Sequence, residues 1–177
     1  FDMLNWFFGE SINVSGKLAT SIKKRPLPNS SDLNDVTSED VCLANIEISN
    51  YSSNLIPCQV SLSSISKNGR GFSLEIYGSE GSLILKSENQ KDYVHGFNLK
   101  YSNNENKIQN LTADSSFNFE KTWTDGRIAP VLRIQNLWAQ SIINGTPVIP
   151  GLCEGLASHK VCEAIRESSK SGLSIKI

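Results

Sequence analysis

The chain has 177 residues, 38% of them hydrophobic and 20% charged, with a net charge of −1, enough for a domain with its own buried core. That composition excludes a disordered chain, and the near-neutral charge excludes a global field favouring nucleic acid or an anionic membrane. No apolar run approaches the ~20 residues a membrane-spanning helix needs.

The opening Phe1-Asp2-Met3-Leu4-Asn5-Trp6-Phe7-Phe8 is apolar but short, and it lacks the basic start and cleavage site of a signal peptide. It starts in the middle of an apolar pattern and without Met, which a truncated chain explains better than a natural N-terminus. Met3 to Phe8 reads as the end of an amphipathic helix closed by Gly9. Ile12 to Ala19 alternates as a strand. Residues 23–38 are polar and proline-bearing and read as a surface loop. In that loop Lys23-Lys24-Arg25 is a solvated basic cluster rather than a phosphate site.

Strand signals then dominate. Cys42, Ala44, Ile46 and Ile48 share one face at period two, and after the turn cluster 50–54 Cys58, Val60 and Leu62 do the same. Lys67-Asn68-Gly69-Arg70-Gly71 reads as a hairpin connection, and Phe72, Leu74 and Ile76 form the next apolar face. Gly78-Ser79-Glu80-Gly81 turns the chain into a returning strand from Ser82 to Lys86. Tyr93 to Tyr101 sets Phe97, Leu99 and Tyr101 on one side, and Lys107 to Ala113 adds a further strand.

Residues 114–126 are irregular and hold Phe117, Phe119 and Trp123. From Arg127 the period becomes helical, with Ile128, Val131, Ile134, Trp138 and Ile142 on one face, ending at Asn144-Gly145. A second helix is expected from Leu152 to Ser171, with Leu156, Ala157, Val161, Ala164, Ile165 and Ser168 inward. Gly172 caps it, and Leu173, Ile175 and Ile177 form a last strand. Strands followed by helices predict an α+β fold: one mainly antiparallel, open-faced sheet, helices on one face, and a polar face for solvent, a partner or a ligand.

Cys42, Cys58, Cys153 and Cys162 form no CxxC pair and no zinc spacing, and read as buried, reduced thiols of a cytoplasmic protein. Cys42 and Cys58 fall in separate strands as candidate neighbours. Cys153 and Cys162 are nine positions apart and point to opposite sides of a helix at ~100° per residue. No metal site is expected. No G-x-G-x-x-G follows a strand and opens a helix: Gly69-Arg70-Gly71 sits between two strands.

Three stretches carry a resemblance. Phe1 to Glu10 resembles a family helix in which an aspartate, here Asp2, precedes an apolar turn and a Gly-Glu stop. Leu74 to Leu83 resembles that family's strand, Gly-x-x-Gly, strand hairpin. Gly145, Pro147, Gly155, Ala164-Ile165, Ser168, Gly172 and Ile175 fall as in its last helix and strand. Taken together they span nearly the whole chain, which resembles the C-terminal domain of the glucose-fructose oxidoreductase / inositol dehydrogenase / MocA family.

The resemblance implies the dihydrodipicolinate-reductase-like C-terminal fold, with residues 1–177 as a single domain for substrate binding and oligomerisation. It also implies a Rossmann domain upstream that binds NAD or NADP. The catalytic Lys, Asp and His of the family are then expected before Phe1, and neither His95 nor His159 matches the motif, so this chain alone is expected to be inactive and to bind no cofactor. The implied reaction is hydride transfer at a hydroxyl carbon of a sugar, sugar acid or cyclitol.

Such a substrate needs hydrogen-bonding groups and an aromatic face, which favours loops beside a rigid scaffold. Trp123 is the candidate ring platform, and Arg127 the candidate holder of a carboxylate or phosphate substituent. Arg133 is a second cation candidate. Family members often have a Tyr where Trp123 stands. The bland readings are a core or interface anchor for Trp123 and helix-surface residues for the two arginines. Homo-oligomerisation through the polar sheet face is implied. The rival reading is a non-catalytic carbohydrate-binding or scaffold module, to which Tyr77, Tyr93 and Tyr101 would offer exposed rings.

Overall fold

The computed structural model describes residues 1–69, 71–88, 96–103 and 107–177. They group into two compact units, residues 1–66 with 149–177, and residues 67–148.

The first unit opens with α1 (Asp2–Phe8) and β1 (Glu10–Ala19), continues through β2 (Lys24–Pro26), β3 (Leu33–Asp35), β4 (Val41–Ser49) and β5 (Leu55–Ser63), and closes with a long C-terminal helix (Leu152–Ser171) and a last strand (Ile175–Lys176). Its four-stranded sheet runs last strand, β1, β4, β5, every pairing antiparallel. The period-two pattern of β4 is realised as read: Ala44, Ile46 and Ile48 are buried while Leu43, Asn45 and Glu47 are exposed. The C-terminal helix packs on β1 and buries Val161, Ala164, Ile165 and Ser168. Gly16 permits that approach, since a Cβ there would stand 2.9 Å from Ile165 Cγ2.

The last strand pairs with β1 only at Asn13 and Val14. Farther along β1, side chains of the C-terminal helix take over the role of a neighbouring strand. Ser168 Oγ accepts from Gly16 N at 2.9 Å, Ser169 Oγ accepts from Leu18 N at 2.9 Å, and Ser168 Oγ donates to Leu173 O at 2.6 Å. Part-buried backbone groups that the ladder leaves unpaired are satisfied in this way.

The second unit holds β6 (Phe72–Gly78), β7 (Gly81–Ser87), β8 (Asn98–Asn103) and β9 (Ile108–Leu111), a single 3-10 turn (Ser115–Phe117) and α2 (Ile128–Asn144). We call the C-terminal helix α3 and the last strand β10. The four strands form a second antiparallel sheet in sequence order, with Gly78 opposite Gly81 at the expected hairpin. Helix α2 ends at Gly145, which adopts φ 64°, as its Asn-Gly signal implied. Pro130 lies in its first turn, where a missing N–H breaks no helical hydrogen bond.

The α+β, antiparallel class therefore holds, and several local expectations need correction. Two four-stranded sheets stand in place of one. The expected hairpin pairing of the strands on either side of Lys67-Asn68-Gly69 is not made, because β5 and β6 belong to different sheets. Inside the expected loop 23–38 lies a short hairpin in which Lys24 faces Asp35 and Pro26 faces Leu33. All six of its residues are exposed, so no one-sided apolar pattern marks it. Leu156, expected inward, is 57% exposed, and the last strand is Ile175–Lys176, without Leu173 or Ile177. Cys153 is exposed, although all four cysteines are free. Cys58 lies opposite Ile46, four residues from Cys42. At ~3.3 Å per residue that is about 13 Å along the strand, too far for a disulfide. Burial pushes both thiols up from their ordinary pKa, Cys42 also feeling the thiol of Cys162.

Candidate functional site

The irregular segment before α2 is ordered by side chains that bond to nearby backbone. Asp114 caps the 3-10 turn by accepting from Ser116 N at 2.8 Å. Just before α2, Asp125 closes a local turn by accepting from Arg127 N at 3.0 Å. The Asp125 carboxylate also receives Arg127 Nε at 2.8 Å and Nη2 at 2.6 Å, a two-point ion pair. The side-chain hydrogen bonds from Arg127, with the backbone bond beside them, hold Asp125 down at about 2.

The three residues singled out from sequence all lie in the second unit, each with its own contacts. Trp123 is half-buried, with Lys121 Nζ 5.0 Å from its ring centroid. The guanidinium of Arg127 is committed to Asp125. Arg133 reaches back from α2 to donate to Phe117 O at 3.3 Å and Asn118 O at 2.9 Å, and lies 4.0 Å from the centroid of Phe119. It braces the 115–119 segment against α2. His159 is an exposed helix-face residue with Nε2 4.0 Å from Glu163 Oε1, as read. His95 and Tyr93 lie outside the described residues, as does Arg70.

One cluster escaped the sequence reading. Ser73, Glu75 and Tyr77 project from one face of β6, and Lys86 of β7 joins them. Tyr77 Oη donates to Glu75 Oε2 at 2.8 Å, and Lys86 Nζ lies 3.3 Å from Glu75 Oε1. The Tyr77 and Lys86 bonds hold the Glu75 carboxyl below its usual range, and the same carboxylate raises the Tyr77 phenol. The signal was present as a polar period-two face, Ser-x-Glu-x-Tyr, alternating with the apolar one. In the first unit, the polar face of the sheet carries a shallow groove of about 340 Å³, bordered by Asn13, Ser15, Asn45, Glu47, Gln59 and Ser174.

At the start of α3, Gly151 N donates to Glu154 Oε2 at 2.7 Å, and a pyrophosphate there would meet a carboxylate. Among the described residues no three His, Cys, Asp or Glu side chains converge as a metal site, and no helix is long and apolar enough to cross a membrane.

The order of elements, from an aspartate-led helix through a Gly-x-x-Gly hairpin to a closing helix and strand, invites comparison with known proteins. The family model described as the C-terminal alpha/beta domain of an oxidoreductase family, named for Gfo, Idh and MocA, matches residues 1–177. The chain belongs to the Gfo/Idh/MocA oxidoreductase family. An uncharacterized oxidoreductase of Synechocystis sp. is 37% identical over 169 residues, covering 95% of this chain and 44% of that protein. This Gfo/Idh/MocA chain thus spans less than half of that relative.

Among solved structures, levoglucosan dehydrogenase in complex with NADH and L-sorbose superposes with a TM-score of 0.72 at 17% identity, covering 99% of this chain and 48% of the other. The super-repressor mutant of Gal80p from Saccharomyces cerevisiae matches with a TM-score of 0.66 at 16% identity, covering 99% and 47%. At such identities the likeness is one of fold.

Proposed function

We propose that this chain is the C-terminal, substrate-side half of an NAD(P)-dependent oxidoreductase that acts by hydride transfer on a hydroxyl of a sugar, sugar acid or cyclitol. The observation that carries this reading is the whole-length match to the C-terminal domain of the family. The dinucleotide belongs to an upstream Rossmann domain, since the chain matches the C-terminal domain of the family and spans less than half of its relative. The catalytic Lys, Asp and His of the reading lie in that same upstream part. Four free cysteines, two of them with thiols raised by burial, support a reducing, cytoplasmic location.

In this reading Trp123 is the platform for a sugar ring, and the Asp125–Arg127 pair supplies an acceptor and donors to neighbouring hydroxyls. A neutral polyol can bridge such a pair, whereas a carboxylate or phosphate approaching Arg127 also meets the negative charge of Asp125 beside it, so the pair favours the neutral substrate. Arg133 contributes by holding the segment that carries Trp123. In the longer protein, Trp123→Ala and Arg127→Ala each raise KM for the substrate and leave NADH affinity unchanged. Unaltered KM values for both, across polyols and sugar acids, would remove these residues from the site.

NADH fluorescence titration of this chain and of the protein extended upstream by one Rossmann-sized domain tests the central claim. Binding by the longer protein alone is the expected result. Binding by neither favours the second reading, a non-catalytic scaffold or sugar-binding module, which the likeness to a Gal80p repressor supports. The polar sheet face with its groove is the proposed assembly surface, and the intact protein is expected to sediment as a dimer or larger species.

A further inference from the structure

Helix α1 is fixed to the first unit from beneath. Leu4 is buried, and Phe8, one turn on and half-buried, shares its side of the helix. The helix leans on α3 and β4. Asn5 Oδ1 accepts from both the backbone N and the hydroxyl of Ser11, at 3.3 and 2.7 Å, which ties the helix to the first turn of β1. Gly9, at φ 118°, presses so closely on the end of β4 that a Cβ would stand 2.2 Å from Ser49 O. Against this base Trp6 projects from the opposite side of α1 and Phe7 from its flank, their rings stacked with centroids 4.9 Å apart and Phe7 edge-on to Phe8 at 5.9 Å. Trp6 is 69% and Phe7 46% exposed.

A stacked, preorganised aromatic pair on a braced helix is an expensive surface to leave in water, and such pairs are the usual anchors of buried interfaces. What covers it follows from position. The relatives are about twice as long as this chain, which matches 44% and 48% of them, and the matched portion is their C-terminal domain. Their remaining chain therefore enters at Phe1, five residues from Trp6. We propose that Trp6 and Phe7 form the docking anchor for the upstream domain of the same protein. The proposal rests on the two-domain reading above. It does not require that the upstream domain bind a nucleotide.

Hydroxyl-radical footprinting of the full-length protein, read residue by residue by mass spectrometry, tests this. Each rate is normalised to the same residue in urea, with Tyr51, 87% exposed, and Tyr77, 73% exposed, as internal references. Trp6 and Phe7 are expected to be oxidised several-fold more slowly than the two tyrosines, at every protein concentration. Oxidation as fast as the tyrosines overturns the proposal. Protection that disappears on dilution also overturns it, because a second copy is then the cover. The result stands apart from the NADH titration: a protected Trp6 in a protein that binds no NADH would keep the docking claim and remove the dehydrogenase.

Discussion

The two units of the chain solve the problem of stability differently. In the first, α3 lies on the sheet and buries Val161, Ala164 and Ile165, with Val14, Ala44, Ile46 and Ile48 on the strands below. In the second, Ala129 is the one fully buried apolar residue among those described, and α2 leaves Val131, Leu137, Trp138, Ile142 and Ile143 each more than 40% exposed. The candidate ligand contacts Trp123 and Arg127 fall in this second unit. A dense core fixes one conformation by its own packing, whereas a unit whose apolar helix is uncovered depends on what is placed against it. The contrast teaches that the dense core and the candidate ligand contacts fall in different parts of the chain.

That contrast can be broken by truncating one residue on each side of it. Ile46→Ala is expected to cost about 2–5 kcal/mol, measured by urea unfolding. Ile142, 80% exposed, should lose no more than about 0.5 kcal/mol on the same change. Equal losses in the full-length protein would mean that α2 is covered there as thoroughly as the core strands.

Next in size is Ser168→Ala, which strips Gly16 N and Leu173 O of their shared partner. Leaving those groups unmet costs about 1–3 kcal/mol, and Ser168→Thr, which keeps the hydroxyl, should recover part of it. A neutral result for the alanine variant would show that solvent reaches this seam.

The smallest effects are electrostatic and sharpen the comparison through pH. Asp40 in the first unit accepts from Ser21 N at 2.7 Å and Ile22 N at 2.9 Å, and these backbone bonds hold its carboxyl below the usual range. Asp125 in the second is held at about 2 by Arg127. In both cases the folded state lowers the pKa. Their contributions are complete above the ordinary carboxylate range and fade as pH falls through the lowered values. Acid unfolding of Asp40→Asn and Asp125→Asn should each show a flatter decline in stability below about pH 4 than the parent protein. An unchanged acid limb for Asp125→Asn would show that solvent screening cancels the pair.

How far the sequence could be read follows the same division. Helices α2 and α3 were legible end to end, because Asn144-Gly145 and Ser171-Gly172 mark their stops and the inward stripe of α3 has a helical period. The strand β4 was legible because one face is buried and the other wet. The hairpin of β2 and β3 was not, since strands of three exposed residues show no alternation. Nor was the assignment of strands to two sheets, which depends on long-range pairing that the local pattern at Asn68-Gly69 does not encode. Within the site, the residue types were visible but their partners were not. Nothing in the spacing of Arg127 and Arg133 says that one folds back onto Asp125 and the other onto the carbonyls of Phe117 and Asn118.

The serines that α3 offers to β1 also bear on how this protein meets other chains. An uncovered strand edge is a template for intermolecular pairing, aggregation included. Here the β1 side is closed, first by β10 and then by Ser168 and Ser169. Among the described residues, the other edge is β5, which carries Pro57 near its middle, a residue with no N–H to offer an incoming strand. With one border closed and the other interrupted by Pro57, the sheet offers another copy a poor template for lengthening into a filament.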